Sequence, residues 1–212
     1  MVAPETAGVW MGIANPSDEG MLAPATAEQR VAPRFTLLIR AAKLITPAGE
    51  FLCVIRDASE SGISVRIFHA LPKDKDMTIE LQNGDRYWVE RVWEEQDRAG
   101  FRFIQDVDIK RIVESPSRFA KRSIRLNLEA PAEISCLAGT ARVTIHNISQ
   151  QGASISSPMR LSLDQRVKIS ARGLRETGAI VRWRNGGDFG LAFEDTYQFG
   201  ELARIVRLLQ RK

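Results

Sequence analysis

The chain has 212 residues, 44% of them hydrophobic, a length and composition typical of a soluble globular protein with one or two domains. Its formal net charge is +4, from 30 lysines and arginines against 26 acidic residues. This basic excess is smaller than that of a dedicated DNA-binding domain. The apolar runs are shorter than the roughly 18 residues that cross a bilayer, so we expect no membrane insertion.

The N-terminal segment differs in composition from the rest of the chain. Residues 1–28 are rich in Ala, Pro, Gly and acidic residues without periodicity, which predicts a flexible tail. No Lys or Arg precedes Arg30 and no signal-peptide core is present, so we expect a cytoplasmic protein. Cys53 and Cys136 are then expected to be free thiols, with a single disulfide as the alternative.

Short β-strands separated by turn residues are predicted along the remaining chain. In the first half, β-forming and apolar residues predict strands at residues 35–44, 51–56, 63–67, 77–81, 87–93 and 100–104. In the second half, the same signals predict strands at residues 132–134, 141–145, 153–155, 167–170, 178–183 and 190–193. Asn83-Gly84 is a strong hairpin signal. Two small β-barrels or sandwiches are therefore predicted.

Helical periodicity follows each set of strands. A short helix is predicted within residues 106–115 from the spacing of Ile109, Ile112 and Val113. A clearer stripe near the C-terminus consists of Leu202, Ile205, Val206 and Leu209. We expect this stripe to pack on a barrel, with an exposed partner-binding helix as the alternative. Because Pro116 interrupts the first helix, the predicted domains are residues 29–113 and 114–212.

Two short signatures occur twice, in the same order. The first copy consists of Arg30, Arg34, Asp57, Ser59 and Gly62, and the second of Arg118, Arg122, Asn147, Ser149 and Gly152. Each signature glycine precedes a tryptophan, Trp93 or Trp183, by 31 residues. A Gly and a Phe then follow each tryptophan at offsets of 7 and 10 residues. The chain is therefore a tandem of two similar units, and its function should be sought in both.

The side chains of the signatures favour ligand binding over catalysis. Two arginines four residues apart present planar donor forks that suit phosphate oxygens. The second signature offers an acceptor, a hydroxyl and a glycine that permits close approach or positive φ, which together suit a nucleobase. An ordinary turn with a capping serine is the alternative. Because Asn147 replaces Asp57 and cannot act as a general base, we predict no enzyme and no catalytic residue.

In their order and spacing, the paired signatures resemble those of the PilZ domain, a bacterial receptor for cyclic di-GMP. Arg-x-x-x-Arg followed by Asp/Asn-x-Ser-x-x-Gly is the hallmark of that family, and both halves match it over about residues 29–212. The resemblance implies a mainly β fold of two tandem six-stranded antiparallel barrels. It also implies a C-terminal α-helix, to which the periodicity adds a short inter-domain helix.

The resemblance further implies a role for each signature residue. The arginines of both pairs would clamp phosphates and guanine edges, and the Asp/Asn, Ser and Gly positions would line the barrel surface against the other guanine. The family's additional arginine is replaced here by Gln29 and Ser117, which implies one cyclic dinucleotide per site. Family members are adaptors in which ligand folds the arginine loop onto the barrel and changes contacts with a partner protein.

Other residues with chemical potential are given structural interpretations. We expect Trp93 and Trp183 in the core or at the barrel rim, rather than as stacking platforms. Arg182 and Arg184 are expected to face outward. His146 is expected to be a strand-end residue, and no cluster has the spacing of metal ligands, so no metal or cofactor is predicted beyond the ligand.

Three functions remain after this comparison. The first is a cyclic-di-GMP-responsive adaptor that acts on an unidentified effector protein in motility, biofilm formation or the cell cycle. The second is a ligand-independent PilZ-type interaction module, and the third is a small barrel that binds single-stranded nucleic acid. Aromatic content of 7% and the weak net charge argue against the third, so no nucleic acid partner is predicted.

Overall fold

The computed structural model describes residues 35–114 and 123–211, with the backbone alone for residues 35–39. The tail predicted at residues 1–28 lies outside this part of the chain. Among the described residues, no helix is long and apolar enough to cross a membrane.

The first half of the chain is a closed antiparallel barrel of six strands. They are β1 (Phe35–Thr46), β2 (Gly49–Ser59), β3 (Gly62–Ile67), β4 (Asp76–Leu81), β5 (Arg86–Glu95) and β6 (Arg98–Phe103). Neighbours around the barrel follow the order β1-β2-β3-β6-β5-β4. The short helix α1 (Ile109–Glu114) follows, and it buries Ile109 and Ile112 as the periodicity predicts. The Arg40 side chain fixes the end of this helix by donating to the Ile112 carbonyl at 2.8 Å.

The second half repeats this topology. Its strands are β7 (Leu126–Cys136), β8 (Gly139–Ser149), β9 (Gly152–Ser156), β10 (Arg166–Ala171), β11 (Leu174–Asn185) and β12 (Asp188–Phe193). They close in the order β7-β8-β9-β12-β11-β10, and helix α2 (Phe199–Leu209) follows them. The predicted fold class, two tandem six-stranded barrels with a short helix and a C-terminal helix, is confirmed. The domain boundaries at residues 28/29 and 113/114 stay predictions.

Alternating burial explains why these segments form barrel walls. In β4, Met77, Ile79 and Leu81 point inward, whereas the intervening side chains are more exposed. Successive side chains of a strand point to opposite faces, so such a strand buries one row of apolar residues and presents polar residues to water. Cys53 lies in the first core, where burial raises the pKa of its thiol. Both cysteines are free, so the disulfide alternative is wrong.

Helix α2 packs against both barrels at once. Its stripe is buried as predicted, with Leu202, Ile205, Val206 and Leu209 all less than a tenth exposed. These residues belong to one apolar cluster with the second barrel's core and with Ala41 and Leu52 on the first barrel. The alternative of an exposed partner-binding face is therefore wrong for this stripe.

The two signature glycines allow neighbouring strands to approach closely. A Cβ atom added at Gly152 would lie 2.1 Å from the Leu191 carbonyl oxygen, and one added at Gly62 would lie 2.4 Å from that of Phe101. Neither glycine has a positive φ. Of the two roles expected for these glycines, close approach is therefore correct and positive φ is wrong, and the approaching backbone is the barrel's own.

Gly152→Ala should destabilise the protein, because the methyl group would overlap a carbonyl oxygen that β12 holds in place. We expect the free energy of unfolding to fall by about 1–3 kcal/mol, as for other overpacked sites. Thermal or denaturant unfolding measures this change. Gly187→Ala is the control, since its Cβ would meet nothing closer than 3.8 Å, and equal effects of the two changes would contradict the packing argument.

Ile205→Ala should also destabilise the chain, because Ile205 is 3% exposed within the cluster that joins α2 to both barrels. Removal of a buried isoleucine side chain commonly costs about 2–5 kcal/mol. Arg204→Ala changes the adjacent, exposed position of the same helix and should shift the unfolding midpoint little. An unchanged midpoint for Ile205→Ala would show that the helix is not an integral part of the core.

Candidate ligand-binding site

The arginines of the signatures lie outside the described residues. These are Arg30 and Arg34 in the first copy and Arg118 and Arg122 in the second. Their predicted contacts with phosphates and guanines stay predictions. The structure does describe the remaining signature residues and the barrel surface around them.

The signature serines close the turn between the second and third strands of each barrel. Ser149 is 2% exposed, and its hydroxyl donates to the Gly152 carbonyl at 3.2 Å. The same hydroxyl accepts a hydrogen bond from the Gln151 amide at 3.4 Å. In the first barrel, the Ser59 hydroxyl donates to the Gly62 carbonyl at 3.4 Å. The capping-serine interpretation of these positions is thus correct in the structure, and a role in ligand contact stays a prediction.

The first signature position makes different hydrogen bonds in the two barrels. Asp57 accepts one from the Ser64 hydroxyl on the adjacent strand. Asn147 Oδ1 instead accepts from Arg125 Nη1 at 2.9 Å. A guanidinium is therefore hydrogen-bonded to the second signature, and it comes from Arg125, which lies outside the repeated signatures.

A cavity of about 470 Å³ opens beside the second signature. Its wall includes Ser123, Arg125, Ser149, Gly152, Arg182 and Trp183. Ser149 and Gly152 are thus brought together with two guanidinium groups and an indole. Asn147 borders this wall only through Arg125, and His146 lies outside it, half-buried, with Nε2 3.9 Å from Asp188 Oδ1.

Trp183 lies on the outer wall of the barrel, next to the second signature. It is 43% exposed, and its counterpart Trp93 is 40% exposed, so placement in the core is wrong. Each indole lies over a glycine: a Cβ atom on Gly190 would be 1.9 Å from Trp183 Nε1, and one on Gly100 would be 2.0 Å from Trp93 Nε1. The repeated Trp and Gly therefore form one structural unit on each barrel.

A β-bulge explains the exposure of both tryptophans. The pairing register of β11 with β12 shifts between Val181 and Trp183, and that of β5 with β6 shifts between Arg91 and Trp93. An extra residue in one strand re-aims the side chains beside it, so strict alternation fails there. Arg182 is exposed beside Trp183, and Arg184 is exposed as predicted.

Strand register identifies Arg125 as the second barrel's counterpart of Arg34. Arg34 immediately precedes Phe35, which pairs with Ala58, and Arg125 immediately precedes Leu126, which pairs with Ile148. Arg34 precedes Asp57 by 23 residues. In the second half, Arg125 precedes Asn147 by 22 residues and Arg122 precedes it by 25, so Arg125 has the more similar spacing. That distance is the sequence signal that Arg125 belongs to the site.

The two barrels differ in charge at corresponding positions. Arg182 precedes Trp183, whereas an exposed valine, Val92, precedes Trp93. Arg182 Nη1 contacts Asp164 Oδ1 at 2.9 Å, with both side chains more than half exposed. Exposed ion pairs of this kind contribute little, so Arg182 can exchange Asp164 for another anion. The second barrel therefore offers the more cationic wall.

One family model matches the second half of the chain. Residues 117–211 match the family model of the PilZ domain. A comparison with curated proteins finds no match. Among solved structures, the Borreliella burgdorferi PlzA protein in complex with c-di-GMP is 10% identical over 81% of this chain and 88% of that one, with a TM-score of 0.34.

Two further solved structures are similar to the chain. The Bacillus subtilis inhibitor of motility, MotI/DgrA, is 14% identical over 82% of this chain and 96% of that one, with a TM-score of 0.34. Escherichia coli YcgR in complex with c-di-GMP is 13% identical over 82% of this chain and 81% of that one, with a TM-score of 0.29. The family model matches the second barrel, where the complete second signature lies, so the second barrel is a PilZ domain.

Proposed function

We propose that the chain is a cyclic di-GMP receptor that signals to a separate protein, and that the second barrel holds its principal binding site. The observation that carries this proposal is the cavity beside Ser149 and Gly152, with Arg125, Arg182 and Trp183 in its wall. Ser123 is part of that wall and directly follows the arginine signature at residues 118–122.

The cavity has the volume of a small-molecule site and side chains suited to phosphates and a nucleobase. Its volume of about 470 Å³ lies within the range usual for small-molecule sites. Guanidinium groups bind phosphate oxygens in a bidentate manner, and the exposed indole of Trp183 offers a face on which a guanine can stack. The signature arginines would complete the clamp from the segment that leads into the cavity wall. Binding, without chemical turnover, is the activity that these groups support.

Signalling would follow from a change of conformation on ligand binding. A ligand held by the barrel wall and by Arg118 and Arg122 would connect the arginine signature to that wall. A change of conformation of this type alters the surface that an effector protein contacts. No cofactor is needed beyond the dinucleotide itself.

The first barrel is expected to bind more weakly. Val92 supplies no charge where the second barrel has Arg182. Asp57 adds a negative charge where the second barrel has Asn147. A ligand with two phosphates is attracted less by the first wall, because like charge opposes anion binding. The chain would then hold one ligand tightly at the second barrel and one less tightly at the first.

A ligand-independent interaction module is the second candidate function. Ser149 and Gly152 already have structural roles in closing the turn and in admitting β12, so these two residues alone do not require a ligand. The two candidates differ over Arg182, which has no comparable structural role because its exposed ion pair contributes little.

Arg182→Ala should weaken cyclic di-GMP binding at the second barrel by about tenfold or more, the cost of one charge-assisted hydrogen bond. Isothermal titration calorimetry measures this change. Arg184→Ala is the matched control, because it removes the same charge two residues along the same strand, outside the cavity wall. Arg118→Ala with Arg122→Ala should abolish binding at this barrel, while Arg30→Ala with Arg34→Ala should remove only the weaker site.

The unaltered protein decides between the two candidates. Ligand at about 100 times its dissociation constant stabilises a protein by about 2.7 kcal/mol, which raises the melting temperature measurably. An absence of both heat and a melting shift at saturating cyclic di-GMP would refute the receptor and favour the ligand-independent module. Equal losses for Arg182→Ala and Arg184→Ala would refute the assignment of the cavity.

A further inference from the structure

A polar network joins the two barrels at a place that neither signature includes. It consists of Lys43 and Glu50 of the first barrel, Asn127 of the second, and Gln210 after helix α2. We call these four residues the Glu50 network. Lys43 and Glu50 form an ion pair at 2.9 Å, and their side chains are only 4% and 12% exposed. Charged groups that are this little exposed need hydrogen bonds to offset the loss of hydration.

The Lys43 ammonium has three donors, and three oxygens surround it. Glu50 Oε2 lies at 2.9 Å and Glu80 Oε1 at 3.4 Å, both within the first barrel. The third oxygen is the main-chain carbonyl of Arg125, at 3.0 Å, which belongs to the second barrel. One charge of the first barrel therefore holds the backbone of a cavity residue.

Glu50 holds the same segment through both carboxylate oxygens. Its Oε2 accepts from the Asn127 amide at 2.7 Å, and its Oε1 accepts from Asn127 Nδ2 at 2.9 Å. The main chain of Glu50 is held in turn by Gln210, whose side-chain amide accepts from Glu50 N at 3.0 Å and donates to Glu50 O at 2.8 Å. Gln210 thus holds the main chain of Glu50 in the position from which the Glu50 carboxylate reaches Asn127.

The segment that the network holds belongs to the candidate binding site. Asn127 is the register partner of Asn147, the first residue of the second signature. The Arg125 guanidinium donates a hydrogen bond to the same Asn147. The main-chain carbonyl of Arg125 is the oxygen that Lys43 contacts. Residues 123–127 include Ser123 and Arg125 of the cavity wall, so the first barrel holds part of that wall.

The network is absent at the corresponding positions of the second barrel. Glu133 pairs with β8 and β10 as Lys43 pairs with β2 and β4, and Thr140 follows the turn glycine as Glu50 does. Both residues are exposed. The buried ion pair is therefore not a feature that both repeats share. Lys43 and Glu50 are buried because they lie on the surface of the first barrel that contacts the second.

We propose that Glu50 and Lys43 are positioning residues of the second barrel's binding site, through which the first barrel sets the affinity of the second. This inference rests on the proposed function, since it concerns the same cavity. With residues 123–127 held in place, less conformational freedom remains for Arg125 to lose when a ligand binds in the cavity. Without the network, Arg125 must be ordered by the ligand alone.

The test is the affinity of the second site for cyclic di-GMP in the full chain, with the first signature silenced by Arg30→Ala and Arg34→Ala. Glu50→Gln keeps the shape of the side chain but loses its charge and one acceptor. We expect it to weaken binding by about tenfold, a usual size for coupling between sites. Asn127→Ala leaves the Lys43–Glu50 ion pair intact and should weaken binding in the same direction.

Glu176→Gln is the matched control. It removes a carboxylate that pairs with Lys168 at 2.7 Å on the second barrel, where both side chains are about 60% exposed. Its affinity should equal that of the parent. Hydrogen–deuterium exchange supplies a readout independent of ligand: Glu50→Gln and Asn127→Ala should speed exchange in residues 123–127 while strands β4 to β6 keep their protection.

The outcomes separate the inference from the proposed function. If the parent binds and both variants bind equally well, the positioning role is wrong and the receptor function stands. If Glu50→Gln unfolds the first barrel, Asn127→Ala still decides the matter, because its only loss is one side chain at the junction. If the parent binds nothing, the proposed function fails first, and the inference fails with it.

Discussion

Burial of the apolar face of α2 against both barrels is the interaction on which the rest of the arrangement depends. Each barrel has about 90 residues and a small core, and domains of that size gain from a shared apolar surface. The helix buries Leu202, Ile205, Val206 and Leu209, and full burial of such side chains contributes roughly 1.5–3 kcal/mol each. The helix also brings Gln210, just beyond its end, against the main chain of Glu50. The apolar contact of α2 with both barrels therefore determines where the Glu50 network can form.

The Glu50 network stabilises the contact between the barrels less than the apolar face of α2 does. A buried ion pair gains little over apolar side chains of the same volume, whereas loss of one partner costs about 3–5 kcal/mol. Lys43 and Glu50 are therefore better explained by what they orient than by what they stabilise. They orient residues 123–127, which carry Arg125 toward Asn147 and the cavity. The fold thus links the helix, the junction and the candidate site in one chain of contacts.

Local patterns in the sequence predict the barrels and helices because those elements have short periods. Alternation in β4 and the stripe of α2 were sufficient, since each depends only on neighbours in the chain. Placement of Trp183 in the core is wrong because a bulge interrupts the alternation there, and a bulge changes register without changing composition. Arg125 was not predicted because the arginine pair of the second signature ends at Arg122, three residues earlier. The Glu50 network was beyond prediction, since Glu50 and Asn127 are 77 positions apart and meet only when the barrels pack.

The most direct measurement is an NMR titration of the full chain with cyclic di-GMP, which follows the indole N–H resonances of Trp183 and Trp88. Trp183 lies in the cavity wall of the second barrel, whereas Trp88 is 57% exposed on the first barrel. Replacement of each tryptophan by phenylalanine assigns its resonance. A ligand in the proposed site should shift the Trp183 resonance saturably and leave that of Trp88 in place. An unmoved Trp183 resonance at saturating ligand would contradict the assignment of this cavity as the binding site.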